Sequence, residues 1–286
     1  MKKILMALVV SMLSVALIGC GSDDGNDKAN SSNVKVIDIQ LTEEEYAFGV
    51  DKNNPELLED VNEFIAKIQD DGTFEDILNN YFGDGEPQGF ESAELDSSKD
   101  QLVVATNAAF EPFEFTKGDT FYGVDMEIAK LIADELGLEL VINNMDFEAV
   151  VLSVGQGKAD IAMAGLTVNE ERKESVNFSD SYYNAAQKVV TLESDTRFDD
   201  CETIEDIEKV LNELASDAKI GVQLGTTAQF YVEGNEDWGF DGYDVECIGY
   251  KSGSLAVQNM INGNLDLVII DEAPAEAIVE AMNALN

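Results

Sequence analysis

Asn107, the run Gly165-Leu166-Thr167, the stretch from Gln223 to Thr227, and Asp271 each close a short apolar segment of this chain. Together they supply amide and hydroxyl donors, glycines that let a ligand approach the backbone, and one carboxylate. That is the chemistry of hydrogen-bonded capture. Proton-transfer and metal chemistry have less to draw on, because the chain has no histidine and so lacks the commonest general base and metal ligand. A zinc site and a Ser-His-Asp triad are thereby excluded. Of the three cysteines, Cys20, Cys201 and Cys247, the last two can form a disulfide in an exported protein, and spacing alone leaves that open.

The elements that must position these groups are legible as strands. Leu102-Val103-Val104-Ala105-Thr106 runs into Asn107, and Ile161-Ala162-Met163-Ala164 into Gly165. Ile220-Gly221-Val222 runs into Gln223, and Leu267-Val268-Ile269-Ile270 into Asp271. Short uninterrupted apolar runs of this kind suit strands covered on both faces. The halves echo one another. Gly157-Lys158-Ala159-Asp160 and Gly263-Asn264-Leu265-Asp266 each follow an amphipathic helical stretch, Phe147, Val150, Val151 and Val154 in one and Leu255, Val257, Met260 and Ile261 in the other. Two α/β lobes on one plan are expected. Open α/β sheets bind ligands beyond the carboxyl ends of their strands, so facing lobes would line one polar cleft with these residues.

Other helices mark themselves. Asn54-Pro55 starts one whose stripe is Leu57, Leu58, Val61, Phe64, Ile65 and Ile68, with Gly72 ending it. Thr73 is the expected cap of the next, which shows Ile77, Leu78, Tyr81 and Phe82 before Gly83. Ile128, Leu131, Ile132 and Leu136 face inward on another, closed by Gly137. Residues 84–100 have the Gly, Ser, Pro and acid content of a linker.

Lys2, Lys3 and the apolar run Ile4 to Ile18 read as a signal peptide, shorter than the roughly 18 residues needed to span a bilayer. Leu17-Ile18-Gly19-Cys20 resembles a bacterial lipobox, which implies cleavage before Cys20, a lipid on that cysteine and a solvated tether over residues 21–33. The expected location is the extracytoplasmic face of a bacterial cell membrane, at the cell surface or in a periplasm. A net charge of −41, from 58 acidic and 17 basic residues, argues against binding nucleic acid.

Residues 101–191 resemble the extracellular solute-binding proteins of polar amino-acid ABC transporters, bacterial solute-binding protein family 3. The matching segments are VVATNAAFEPFEF, FYGVDMEIAKLIADELG and AMAGLTVNEERKESVNFSDSYY, continued by IGVQLGTTAQFYV and NGNLDLVIIDEAPA. The resemblance implies an α/β, periplasmic-binding-protein-like fold of type II, each lobe a mostly parallel sheet flanked by helices, with two hinge strands. One departure concerns order. The family's closing segment resembles residues 35–83, which here precede the domain they should follow. The expected explanation is circular permutation, with residues 84–100 joining the old termini and the new break between Asn286 and Val34. Lobe 1 is then 47–186, and lobe 2 is 187–286 plus 34–46. The hinge strands run through Tyr182 to Lys188 and Glu44 to Phe48, and residues 204–219 lengthen a surface helix.

Through the resemblance, Arg172 in Thr167-x-x-x-x-Arg172 is assigned to the ligand's α-carboxylate, since a guanidinium fork suits a carboxylate; Thr226 and Thr227 add backbone donors. An ion pair with Glu170 or Glu171 is the competing use of Arg172. Asp271 is assigned to the α-ammonium with the Gly165 carbonyl and the Thr167 hydroxyl; Glu272 competes, and strand register favours Asp271. Phe110 and Phe147 are expected to sandwich the ligand's side chain, leaving Phe113, Phe115 and Phe178 to the core. Asn107 and Gln223 occupy positions that vary with substrate, and neutral amides favour an uncharged polar ligand; Glu111 and Glu148 keep arginine or lysine open. No cofactor or metal is implied. The partners implied are an amino acid and a membrane permease, with the protein acting as a monomer and not as an enzyme. Two other readings stand beside this one. A dehydratase on the same fold would use Glu272, Glu111 or Glu148 as acid or base, and a sensory lipoprotein would present ligand to a separate sensor.

Overall fold

The central strand of one lobe, Leu267–Asp271, is buried along its whole length, because helices cover both faces of its sheet. The computed structural model describes residues 33–285. The signal peptide, Cys20 and the tether up to residue 32 lie outside the described residues. Two five-stranded sheets form two α/β lobes. In the first, the order is Val176–Phe178, Gly49–Asp51, Ile161–Ala162, Gln101–Thr106, Glu139–Asn144; in the second it is Val34–Val36, Gln187–Leu192, Leu267–Asp271, Lys219–Gln223, Glu246–Tyr250. Each sheet is parallel on one side and antiparallel on the other. Gln101–Thr106 runs parallel to both neighbours, as does Lys219–Gln223, whereas the strands Gly49–Asp51 and Gln187–Leu192 pair antiparallel on both sides.

Two chain segments cross between the lobes side by side. Glu44–Tyr46 pairs antiparallel with Tyr183–Ala185, Tyr46 opposite Tyr183, in a two-stranded ribbon. These are the two stretches expected as hinge strands, and a few residues between packed lobes are the sort of segment that absorbs a hinge motion.

Helix signals acted locally. Asn54 accepts the Leu57 amide and Pro55 begins the helix Pro55–Asp71, which buries Leu57, Val61, Phe64, Ile65 and Ile68. Gly72 ends it in the left-handed conformation, φ 86°. The expected Thr73 cap is not used. Gly72 itself precedes the next helix, Thr73–Phe82, and the Asp71 carboxylate takes the Thr73 amide at 3.0 Å. The helix is entered directly from the preceding turn, so Thr73 is already helical. Residues 84–100 are irregular but tied down: Phe90 bridges Phe121, and the Ala93 amide donates to the Leu140 carbonyl. Ile204–Asn212 is a surface helix closed at its start by a capping box between Thr203 and Asp206, with Ile207 and Leu211 buried.

Cys201 and Cys247 are free thiols, both partly buried against the core of the second lobe. The disulfide that the sequence left open is absent. Burial, and then Glu233 beside it, push the Cys247 thiol up to about 12. At the two ends of the described chain, the Asn283 side chain accepts the Val34 amide and donates to the Val34 carbonyl, both at 2.9 Å.

Candidate functional site

The site is assembled where the lobes meet, from strand ends on both sides. Asn107 follows the strand Gln101–Thr106; its amide nitrogen donates to the Met145 carbonyl at 2.7 Å, which aims its oxygen across the cleft. There it accepts the Gln223 side-chain amide at 3.1 Å. Gln223, at the end of its own strand, is 1% exposed, and among the described residues its buried Oε1 has no hydrogen-bond partner. An acceptor left that way is costly unless a donor arrives. Thr226 donates to the Gln223 carbonyl at 2.8 Å and fixes the turn.

Arg172 lies in the short helix Glu170–Lys173, whose Asn169 cap takes the Arg172 amide. Its guanidinium donates to the Thr167 carbonyl at 2.7 Å and, across the cleft, to the Gly225 carbonyl at 3.0 Å. It also lies 5.2 Å above the Phe147 ring. Among the described residues no carboxylate forms an ion pair with it: Glu170 pairs with Lys173 instead. Burial lowers its pKa to about 10, with Glu44 and Asp271 opposing, so it stays cationic at neutral pH. A buried cation bonded only to carbonyls can still receive a carboxylate.

Asp271 stands opposite in charge. It accepts the Tyr46 hydroxyl at 2.6 Å and, although it precedes the helix Glu272–Asn283, makes no side-chain cap bond. Burial, then the nearby Glu44 charge, raise its pKa to about 7. Glu272, the sequence competitor, is committed elsewhere: it pairs with Lys188 at 2.6 Å and accepts from Gln40. Glu111 and Glu148 are exposed.

Glu44 and Tyr46 were missed by the sequence reading. Glu44 is 7% exposed and takes four donors: Thr167 and Thr227 hydroxyls on Oε2 at 2.7 and 2.8 Å, and Gln187 and Thr42 on Oε1 at 2.9 and 2.6 Å. One carboxylate on the hinge ribbon therefore joins a hydroxyl from each lobe. The available signal was strand alternation in Glu44-Glu45-Tyr46, buried, exposed, buried: a strand that turns Tyr46 inward must turn Glu44 inward too.

Gly165 has φ +52°, and its amide donates to Asp125 at 2.9 Å. A Cβ there would stand 2.7 Å from the Phe110 ring, so only glycine permits this approach. Phe110 is buried over that glycine and leans on Phe113. Phe147 is half-buried, with the Arg172 guanidinium over one face of its ring. Phe113 and Phe115 are buried and Phe178 is partly so. On the Arg172 side the cleft opens into a cavity of about 540 Å³ touching Phe147, Asn169 and Gly225; on the Glu44 side one of about 610 Å³ reaches Thr42, Thr167 and Trp238. Among the described residues no group of three or more His, Cys, Asp or Glu is placed to hold a metal ion.

The profile described as "Bacterial extracellular solute-binding proteins, family 3" matches residues 102–223. The chain is 28% identical over 200 residues to the arginine-binding extracellular protein ArtP of Bacillus subtilis, covering 69% of this chain and 71% of that one. It spans about three fifths of the length of other curated relatives, which are named for binding arginine or histidine. Among solved structures it is similar to an arginine-bound Gly52Ala mutant of ArgBP from T. maritima, with 31% identity, TM-score 0.53, and coverage of 63% of this chain and 78% of that one. It is also similar to the ancestral amino acid-binding protein AncCDT-1, described as a precursor of cyclohexadienyl dehydratase, at 28% identity, TM-score 0.54, and coverage of 63% and 74%. These relatives are extracellular or periplasmic binding proteins, and among the described residues no helix is long and apolar enough to cross a membrane. The two-lobed α/β fold, the cleft between its lobes and these likenesses agree: the chain belongs to the bacterial extracellular solute-binding proteins of family 3.

Proposed function

We propose that this protein captures a polar L-amino acid in the interlobe cleft at the outer face of a cell membrane, held there by lipid on Cys20, and delivers it to the permease of an ABC importer. The observation that carries the reading is the buried Arg172 guanidinium, bonded only to carbonyls, within electrostatic reach of the buried Asp271. A zwitterion needs both its charges matched when it leaves water. Arg172, with Thr226 and Thr227, takes the α-carboxylate. Asp271, with Gly165 and Thr167, takes the α-ammonium. The side chain lies against Phe110 and Phe147 and ends at Asn107 and Gln223. The unmet Gln223 Oε1 calls for a side chain that donates hydrogen bonds, as amide and cationic amino acids do and acidic ones do not. That is consistent with relatives named for arginine and histidine.

The chain order is read as a circular permutation. In support, Gly49–Asp51 fills a place inside the first sheet, Val34–Val36 fills the edge of the second, and Asn283 clamps Val34. The lobe limits are then 47–186, and 187–286 with 34–46.

The test is calorimetric titration of the full chain, unfolded and refolded to strip bound ligand, against the L-amino acids. One or a few should bind at micromolar concentration or tighter, and Arg172→Ala should abolish that heat while leaving the thermal midpoint close to the parent's. A folded protein that binds no amino acid sinks the reading.

A further inference from the structure

Asp125 is wholly buried in the first turn of the helix Val124–Leu136, and both of its hydrogen-bond donors are neutral. Its Oδ2 accepts the Gly165 amide at 2.9 Å and its Oδ1 accepts the Tyr182 hydroxyl at 2.6 Å. Gly165 is buried just after the strand Ile161–Ala162. Tyr182 leads into the hinge strand Tyr183–Ala185, and its amide donates to the Tyr46 carbonyl. The peptide after Gly165 is fixed as well, because the Leu166 carbonyl accepts the Ala47 amide at 3.1 Å. The Phe110 ring packs against it too, since a Cβ at Gly165 would meet that ring at 2.7 Å. Burying a carboxylate among neutral partners is expensive, and apolar replacements of equal volume are often as stable, so packing alone does not account for it.

Glu114, on the strand Glu114–Lys117, faces the same spot. It too is wholly buried, and among the described residues neither of its oxygens has a hydrogen-bond partner. Burial, then the charges of Asp125 and Asp271, push its pKa well up. The titratable groups around Asp125 are therefore Glu114, Tyr182 and, behind Glu114, Asp271 with its Tyr46 partner, none of them basic.

Resting on the reading that the Gly165 carbonyl meets the ligand's ammonium, we propose that Asp125 is a positioning residue: it holds Gly165 in place for the ligand and ties it through Tyr182 to the hinge, while the buried, unpartnered Glu114 stays neutral so that of the two only Asp125 ionises. Burial holds Asp125 up to about 7, against the bonds from Tyr182 and Gly165. The two bonds that Asp125 accepts thus gain charge assistance as pH rises through that value.

The experiment follows the Gly165 amide by NMR in the ligand-free full chain labelled with ¹⁵N-glycine. The resonance should lie far downfield and shift with a midpoint near 7, and should do so equally in Asp271→Asn, which separates it from the titration of Asp271. In Asp125→Asn it should stay bonded but become flat with pH. Asp125→Ala should move it upfield and weaken amino-acid binding about tenfold or more, the size of one charge-assisted hydrogen bond. Asn should recover most of that affinity. Glu114→Gln should leave the midpoint where it is. A pH-insensitive Gly165 amide in the parent, or a folded Asp125→Ala protein that binds as the parent does, overturns the positioning role. A midpoint lowered by about a unit or more in Glu114→Gln overturns the neutrality of Glu114. Should a variant fail to fold, the parent's titration decides by itself. Because it needs no ligand, that titration still decides whether Asp125 holds Gly165 in a protein that binds no amino acid, an outcome that would refute the proposed function and with it only the ligand-facing part of this role.

Discussion

Burial of Asp271 works against the fold. In the unfolded chain it ionises near 3.8 and in the fold near 7, so between those values the fold keeps a proton that the unfolded chain has lost. Stability therefore falls as pH rises through that window. Asp271→Asn should remove the penalty, raising stability by up to about 4 kcal/mol above pH 7 and changing little below about pH 4. The same variant should lose amino-acid binding, since the ammonium then has no carboxylate. Denaturant midpoints against pH, beside calorimetric titrations, check both halves. A second consequence concerns protons. An arriving ammonium favours the ionised form of Asp271, so binding near neutral pH should release part of a proton. Titration in buffers of different ionisation enthalpy should then give different apparent heats; identical heats would mean that binding does not change the protonation of Asp271.

At the scale of elements, what was legible is what local physics decides. Leu267–Asp271 and Gln101–Thr106 declared themselves because strands buried on both faces must be apolar throughout, and the polar residue after each run marked the cleft side. Gly72 was legible as a helix end because few residues adopt φ +86° at low cost. Thr73 misled because a cap depends on where the preceding turn delivers the chain, which sequence spacing does not say. Glu44 and Tyr46 escaped because a strand of three residues is too short to establish a period, and because the partner that turns it inward, Tyr183–Ala185, is remote in sequence. The bond between Asn107 and Gln223 and the bond from Arg172 to the Gly225 carbonyl are likewise products of lobe apposition. Two glycines separate local from apposed effects. A Cβ at Gly72 meets nothing within 4 Å, so Gly72→Ala should cost only the backbone strain, about 1 kcal/mol, with ligand affinity untouched. At Gly225, with φ +75° and in the other lobe, a Cβ would stand 2.9 Å from the Glu148 side chain, so Gly225→Ala should weaken binding by obstructing lobe approach. Thermal midpoints and titrations on the pair distinguish the two.

For the whole molecule, charge and chain order pose separate questions. A net charge of −41 is self-repulsive, and salt screens repulsion between exposed groups, so the thermal midpoint should rise with ionic strength up to the point where the Debye length falls to a few ångströms. Chain order is the deeper matter. If residues 34–83 are the family's closing segment moved to the front, nothing in the packing depends on the present order except two features: the irregular path 84–100 that joins Phe82 to Gln101, and the Asn283 clamp that stands in for a covalent link at Val34. Permutation is tolerated where the termini are close and the break is exposed. A protein that starts at residue 101, continues to Asn286, and then runs through 34–83 should fold to the same two lobes. With Asn283 and Val34 now linked through the chain, Asn283→Ala should cost it less stability than it costs the present chain. Ligand affinity should be retained, because Glu44 and Tyr46 would return to the same hinge ribbon opposite Tyr183–Ala185. A reordered protein that folds yet loses binding would show that the path through residues 84–100 sets the lobe geometry, and the permutation reading would then fail as an account of this site.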